Sequence, residues 1–161
     1  LATLKALGDD VNKATASMGV ALTSCTVPAA GKPTFQIGAD EMEMGVGIHG
    51  EPGRRREKLA SSNAIVDELL EAVVSDLPFK KGDNVALMIN GLGGTPISEL
   101  YLIYGYAHEQ LASRGINVAR NYVGEYRTPL HMAGVSITLV KLDDEPTSLL
   151  EAPAETPIRA A

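Results

Sequence analysis

Tryptophan is absent from the chain, and cysteine occurs once, at Cys25. A single cysteine excludes any disulfide within the chain. It sits among small and apolar residues, Val20-Ala21-Leu22-Thr23-Ser24-Cys25-Thr26-Val27, so it reads as a buried small hydrophobe and not as a reactive thiol. Aromatic residues make up only 4%. A core must therefore come from Val, Ile, Leu, Ala and Met, which suits helices layered on a sheet. No apolar run approaches the ~20 residues of a membrane-spanning helix, and no signal-peptide pattern opens the chain. Basic residues are outnumbered, 14 against 20, for a net charge of −6. Nucleic-acid binders neutralise phosphates with Lys and Arg, so an acidic chain without a basic stripe is a poor candidate for one. A soluble cytoplasmic protein is expected. No histidine pair has metal-ligand spacing, and no metal is expected in this chain.

What is present is one domain's worth of chain. Residues 1–161 are 45% hydrophobic, with no shift in composition to mark a boundary. Residues 2–18 are rich in Ala and Lys and read as a helix broken at Gly19. Residues 20–26 read as a strand and 27–33 as a Pro- and Gly-marked loop. In 41–49, Met42, Met44, Val46 and Ile48 alternate with Glu41, Glu43, Gly45, Gly47 and His49, which predicts a strand with one packed face. Residues 61–77 carry Ile65, Leu69, Val73 and Leu77 at helical spacing, with Ser61 or Ser62 as cap. The apolar run 85–89 predicts a strand buried on both faces. A glycine-rich connection follows, with Thr95 placed at the N-cap and Pro96 at the first position of a helix that ends at Gly115. Residues 116–123 and 135–142 read as strands. The tail after Asp143 reads as one short helical turn. The sum is an α/β domain with a mixed β-sheet flanked by helices. The chain opens at Leu1 in what reads as mid-helix, so a fragment of a longer protein is expected.

The residues with chemical potential concentrate in Gly45-Val46-Gly47-Ile48-His49-Gly50-Glu51-Pro52-Gly53. A histidine at a strand's end is held on a rigid element, and glycines beside it admit something close to the backbone. Two readings fit this pattern. In one, His49 is an accessible nucleophile or base. In the other, the glycines only admit a neighbouring element and His49 bonds a carbonyl.

These residues resemble the substrate-histidine signature of dihydroxyacetone kinases. Further blocks resemble the same family in the same order. They are Cys25-Thr26-Val27-Pro28-Ala29-Ala30-Gly31-Lys32-Pro33, then Asn90-Gly91-Leu92-Gly93-Gly94-Thr95-Pro96 with Glu99-Leu100-Tyr101, then Met132-Ala133-Gly134-Val135-Ser136-Ile137-Thr138-Leu139 with Lys141-Leu142-Asp143. Ala152-Pro153 and Thr156-Pro157 close the series. The resemblance is to the C-terminal half of the family's substrate-binding subunit. It implies that His49, neutral at the moment of attack, adds to the carbonyl of a short ketose such as dihydroxyacetone and holds it as a hemiaminal for phosphorylation. Glycerol, with no carbonyl, is thereby refused. Gly47 and Gly50 are the implied substrate-pocket neighbours, with Glu43 and Glu51 as weaker candidates to orient the ring. Otherwise both glutamates face solvent.

The resemblance also implies what lies elsewhere. A first half with a Gly-rich histidine loop and an aspartate is missing. ATP or ADP with Mg belongs to a partner domain or subunit, or the phosphate comes by a phosphotransferase relay. This chain is expected to bind no cofactor and to be inactive alone. A homodimer is implied, and the family includes non-catalytic ketose sensors that co-regulate transcription. Asn90 to Thr95 lacks the GxxxxGK[ST] pattern of a phosphate loop and reads as a structural turn. Arg54-Arg55-Arg56 reads as a solvated loop, with a docking patch for an acidic partner surface as the sharper alternative. His108 is placed on the apolar face of its helix, at the core's edge, and His131 is read as incidental.

Overall fold

A computed structural model describes residues 1–29, 31–47, 52–153 and 155. Six strands form one mixed sheet in the order β3-β2-β1-β6-β4-β5, and four helices accompany it. The elements in chain order are α1 (Ala2–Lys13), β1 (Thr15–Ala21), β2 (Glu41–Met44), β3 (Arg55–Lys58), α2 (Ser62–Asp76), β4 (Asn84–Gly91), α3 (Ile97–Ser113), β5 (Asn117–Gly124), β6 (Gly134–Leu142) and α4 (Asp144–Glu151). The β4–β5 pair, joined through α3, is parallel, and every other neighbouring pair is antiparallel. The α/β class with a mixed sheet is as the sequence predicts.

The core lies between one sheet face and helices α2 and α3. Ser61 caps α2, its hydroxyl accepting the Ala64 amide at 3.4 Å. Ile65, Val66, Leu69, Leu70 and Val73 form its buried stripe. Leu100, Ala107 and Leu111 do the same for α3. Beneath them Val85, Leu87 and Ile89 of β4 and Ile137 and Leu139 of β6 are fully buried. Alternation along each strand then sends the intervening residues to the opposite face.

Several boundaries differ from the sequence reading. The first helix stops at Lys13, and residues 15–21 form a strand paired with β6 at seven positions. Ala16, Met18 and Val20 are buried there, and a ladder plus a packed face outweighs the weak helix propensity of such a short stretch. Residues 22–26 therefore follow the strand instead of forming it. Residues 55–58 form β3, an edge strand, where a loop is read from sequence. The tail helix α4 runs for eight residues, beyond a single turn. Thr95 does not cap α3, for Pro96 occupies that position. His108 is exposed, beside the Tyr104 ring at 5.8 Å between centroids, and not at the core's edge. His131 is exposed as well. Cys25 is buried, as expected.

Candidate functional site

The alternation predicted for 41–49 holds only to Met44. Met42 and Met44 face α2 and α3 in the main core, while Glu43 points to the opposite face. Gly45 then takes φ +81°, a left-handed conformation that turns the chain out of the strand. Its amide still donates to Gly19 O at 2.7 Å. The next residue, Val46, crosses onto the opposite face and does not continue the Met42–Met44 row. There it packs with Ala21, Cys25, Leu92 and Met132. Gly19 makes the crossing possible, for a Cβ on it would stand 2.8 Å from Val46 O. This corrects the sequence reading in which Val46 shares a face with the two methionines.

Gly47 is half-buried at the end of this crossing. Ile48, His49, Gly50 and Glu51 lie outside the described residues. Beyond them the chain rejoins the sheet within a few residues of Pro52. The Arg54 amide donates to Met44 O at 2.7 Å. The Gly53 amide donates to Glu43 Oε1 at 3.2 Å. The segment that carries His49 thus leaves and re-enters at one hairpin base between β2 and β3.

Glu43 is not a solvent-facing charge. Its residue is 6% exposed, and its Oε2 accepts from Arg56 Nε at 2.9 Å. Arg56 also approaches Glu41 Oε2 at 3.8 Å, and Arg55 pairs with Glu57 and Glu68. The Arg54 side chain lies over Gly45. The arginines are therefore built into the edge of the sheet. They do not form the solvated loop read from sequence.

A second buried polar residue organises the neighbouring loops. Asn90, 2% exposed at the end of β4, accepts the Tyr126 and Arg127 amides at 2.9 and 2.8 Å. Its own amide donates to Arg127 O at 2.9 Å and Ser136 Oγ at 3.2 Å. By register, Ser136 lies between Asn90 and Gly19 across the sheet. The glycine connection after β4 has its amides engaged internally. Gly93 N donates to Glu125 Oε2 at 2.8 Å and Gly94 N to Met132 O at 2.9 Å. Thr95 Oγ1 donates to Gly134 O at 2.7 Å and accepts from Gly134 N at 2.9 Å. A structural turn is what these bonds describe, and a phosphate cradle would need the same amides free. Tyr126, in this region, has its phenol pKa pushed up, first by burial and then by the Tyr101 and Tyr122 neighbours. Among the described residues no cluster of three or more His, Cys, Asp or Glu could hold a metal ion.

The sequence pointed to Gly47 and Glu43, and the structure brings both to this face of the sheet. It did not single out Gly19, Asn90 or Ser136. Asn90 carried a signal, being polar at the end of an apolar strand. Gly19 carried none beyond breaking a pattern.

Comparison with known proteins bears on this arrangement. The family model described as the Dak1 domain matches residues 1–158. The PTS-dependent dihydroxyacetone kinase 1, dihydroxyacetone-binding subunit DhaK of Listeria innocua serovar 6a is 44% identical over 157 residues, covering 97% of this chain and 48% of that protein. The solved dihydroxyacetone kinase operon co-activator Dha-DhaQ superposes with a TM-score of 0.85 at 32% identity, over 93% of this chain and 47% of that one. The dihydroxyacetone kinase from C. freundii in complex with AMP-PNP and Mg2+ gives 0.80 at 30% identity, over 97% of this chain and 28% of that one. The chain thus spans about half the length of the Listeria subunit and of the co-activator.

Proposed function

The chain belongs to the Dak1 domain family, and from that membership we propose that it is the second half of a dihydroxyacetone kinase substrate-binding part, with His49 holding the ketose. The observation that carries this reading is the hairpin base. The segment bearing the substrate-histidine signature is fixed at Gly45 and at Gly53–Arg54, so a residue between them is presented from a rigid element. Gly47 and Gly50 leave the backbone open beside the ring, and Glu51 is its nearest acidic neighbour in sequence.

The chemistry asked of His49 is addition. A neutral imidazole nitrogen attacks the ketone carbon and a C–N bond forms. The carbonyl π pair moves to oxygen, which takes up a proton, and the ring gives up its other N–H proton. The hemiaminal selects carbonyl compounds over polyols. It also holds the terminal hydroxyl still for in-line attack on a phosphoryl group, where catalysis is positioning and charge neutralisation. Nucleotide and Mg are assigned to a partner domain or subunit, which supplies the phosphoryl group. The other half of the substrate-binding part completes the pocket, and the whole works as a homodimer.

Intact-mass spectrometry of the full-length protein with dihydroxyacetone tests this. A covalent adduct is expected, and it is expected to vanish in His49→Ala. An adduct that survives in that variant overturns the assignment. The adduct should also weaken towards acidic pH, because a protonated ring has no lone pair to offer. A flat yield between about pH 5 and 8 tells against an imidazole.

A second reading, a ketose sensor that co-regulates transcription, is favoured by the superposition on the co-activator. Release of ADP, or consumption of a phosphorylated relay partner, on adding dihydroxyacetone to the full-length protein with its partner supports the kinase. Adduct formation without phosphate transfer supports the sensor.

A further inference from the structure

We propose that Glu43 is the positioning residue for the His49 segment, with Arg56 as its obligate counter-charge. This rests on the assignment of His49 above and adds the group that aims it.

The argument begins with cost. A carboxylate removed from water is destabilising unless paired, and an apolar residue of similar volume commonly serves a core better. Glu43 is nonetheless 6% exposed, between Met42 and Met44, which are fully buried. Its two oxygens have separate tasks. Oε2 meets Arg56 Nε at 2.9 Å, directly across the β2–β3 ladder. This neutralises the charge and fixes the rotamer. Oε1 is thereby left facing the returning limb, where it accepts the Gly53 amide at 3.2 Å. That amide lies one residue before the ladder resumes at Arg54 N–Met44 O. A strand pair needs no such bond to close, since its own ladder does so.

The bond instead sets the angle at which residues 46–52 depart from the sheet. The outgoing limb is already set by Gly45 and by the seat of Val46 over Gly19. Glu43 supplies the matching constraint on the incoming limb. Hemiaminal formation needs a nitrogen lone pair aligned on a carbonyl carbon, and a displacement of about 1 Å can cost on the order of a hundredfold in such a step. A buried carboxylate at the loop's base is therefore suited to orientation more than to stability.

The test uses the full-length protein and two reactions of the same histidine. One is the dihydroxyacetone adduct, which needs placement. The other is carbethoxylation by diethyl pyrocarbonate, read at the His49 peptide, which needs only a neutral, accessible ring. Glu43→Ala is expected to lower the adduct yield at subsaturating dihydroxyacetone about tenfold while His49 carbethoxylation stays within about twofold of the parent. Glu43→Gln keeps an acceptor for Gly53 and should lose less than Glu43→Ala. Arg56→Ala should lower the adduct, and Arg56→Lys should recover most of it. If Glu43→Ala does not fold, the Arg56→Ala and Arg56→Lys pair decides, and equal yields in that pair overturn the proposal. Unchanged adduct in Glu43→Ala and Glu43→Gln overturns it, as does parallel loss of adduct and carbethoxylation. If His49→Ala retains the adduct, the assignment of His49 fails instead, and the two failures are thereby told apart.

Discussion

Asn90 shows how a buried amide can organise a surface. It satisfies two backbone amides and a carbonyl in the 125–133 connection and reaches Ser136 across the sheet. Asn90→Ala would leave those groups without partners at a site closed to water, and each unmet buried group costs about 1–3 kcal/mol. A loss of roughly 3 kcal/mol in urea unfolding is expected, with slower proteolysis of the parent than of the variant in residues 125–133. Asp83 carries a different kind of stability. Its carboxylate accepts from Lys141 Nζ at 2.7 Å and from the Lys80 amide at 2.8 Å, and its pKa is lowered, first by the Lys141 hydrogen bond. A carboxyl held more acidic in the folded chain than in the unfolded one stabilises fully above the unfolded value of ~3.9. The contribution is lost as pH falls through the lower folded value. Asp83→Asn is therefore expected to melt below the parent at neutral pH by an amount typical of surface pairs, ~0.2–1 kcal/mol. The gap should close in acid, and a pH-independent gap contradicts the assignment. The sequence alone put Glu43 on the face away from the methionines, correctly. Alternation cannot say what will lie against that face, so the ion pair with Arg56 was illegible.

At the scale of elements, legibility followed the strength of the apolar pattern. Strands β4 and β6 and helix α2 announced themselves through unbroken or periodic apolar runs. Strand β1 did not, because Thr-Ala-Ser-Met-Gly-Val-Ala is neither strongly helical nor strongly extended until β6 pairs with it. Strand β3 could not be read at all. Its residues Arg55-Arg56-Glu57-Lys58 are charged throughout, as suits an exposed edge that must not recruit other strands, and it is held by cross-strand charge. Gly19 in β1 offers a test that opposes local preference. Gly19→Val favours an extended backbone by propensity, yet its side chain would strike the Val46 carbonyl. A destabilisation of about 1–3 kcal/mol, typical of overpacking, is expected on thermal or urea unfolding, together with a fall in the dihydroxyacetone adduct. Greater stability in that variant would show that Val46 is not seated there.

At the scale of the molecule, the class of fold was open to the sequence, and the loop geometry was not. The site's chemistry depends on a histidine whose signature is local, so the motif is legible from neighbouring residues alone. The supporting bonds join residues far apart along the chain. Asn90 reaches to 126, 127 and 136, Thr95 to 134, and Gly45 to Gly19. No spacing rule along a single chain exposes such pairs.

The sheet order puts β2 and β3 at one margin, with β1 as their only strand neighbour. The four remaining strands with α2 and α3 hold most of the core without them. The hairpin that presents His49 is in effect a removable fitting on a largely self-sufficient chassis. Its tip can be re-cut for a different sugar, or blunted to a mere detector, while the frame beneath goes on folding as before. Catalysts and sensors sharing one frame is what such construction permits.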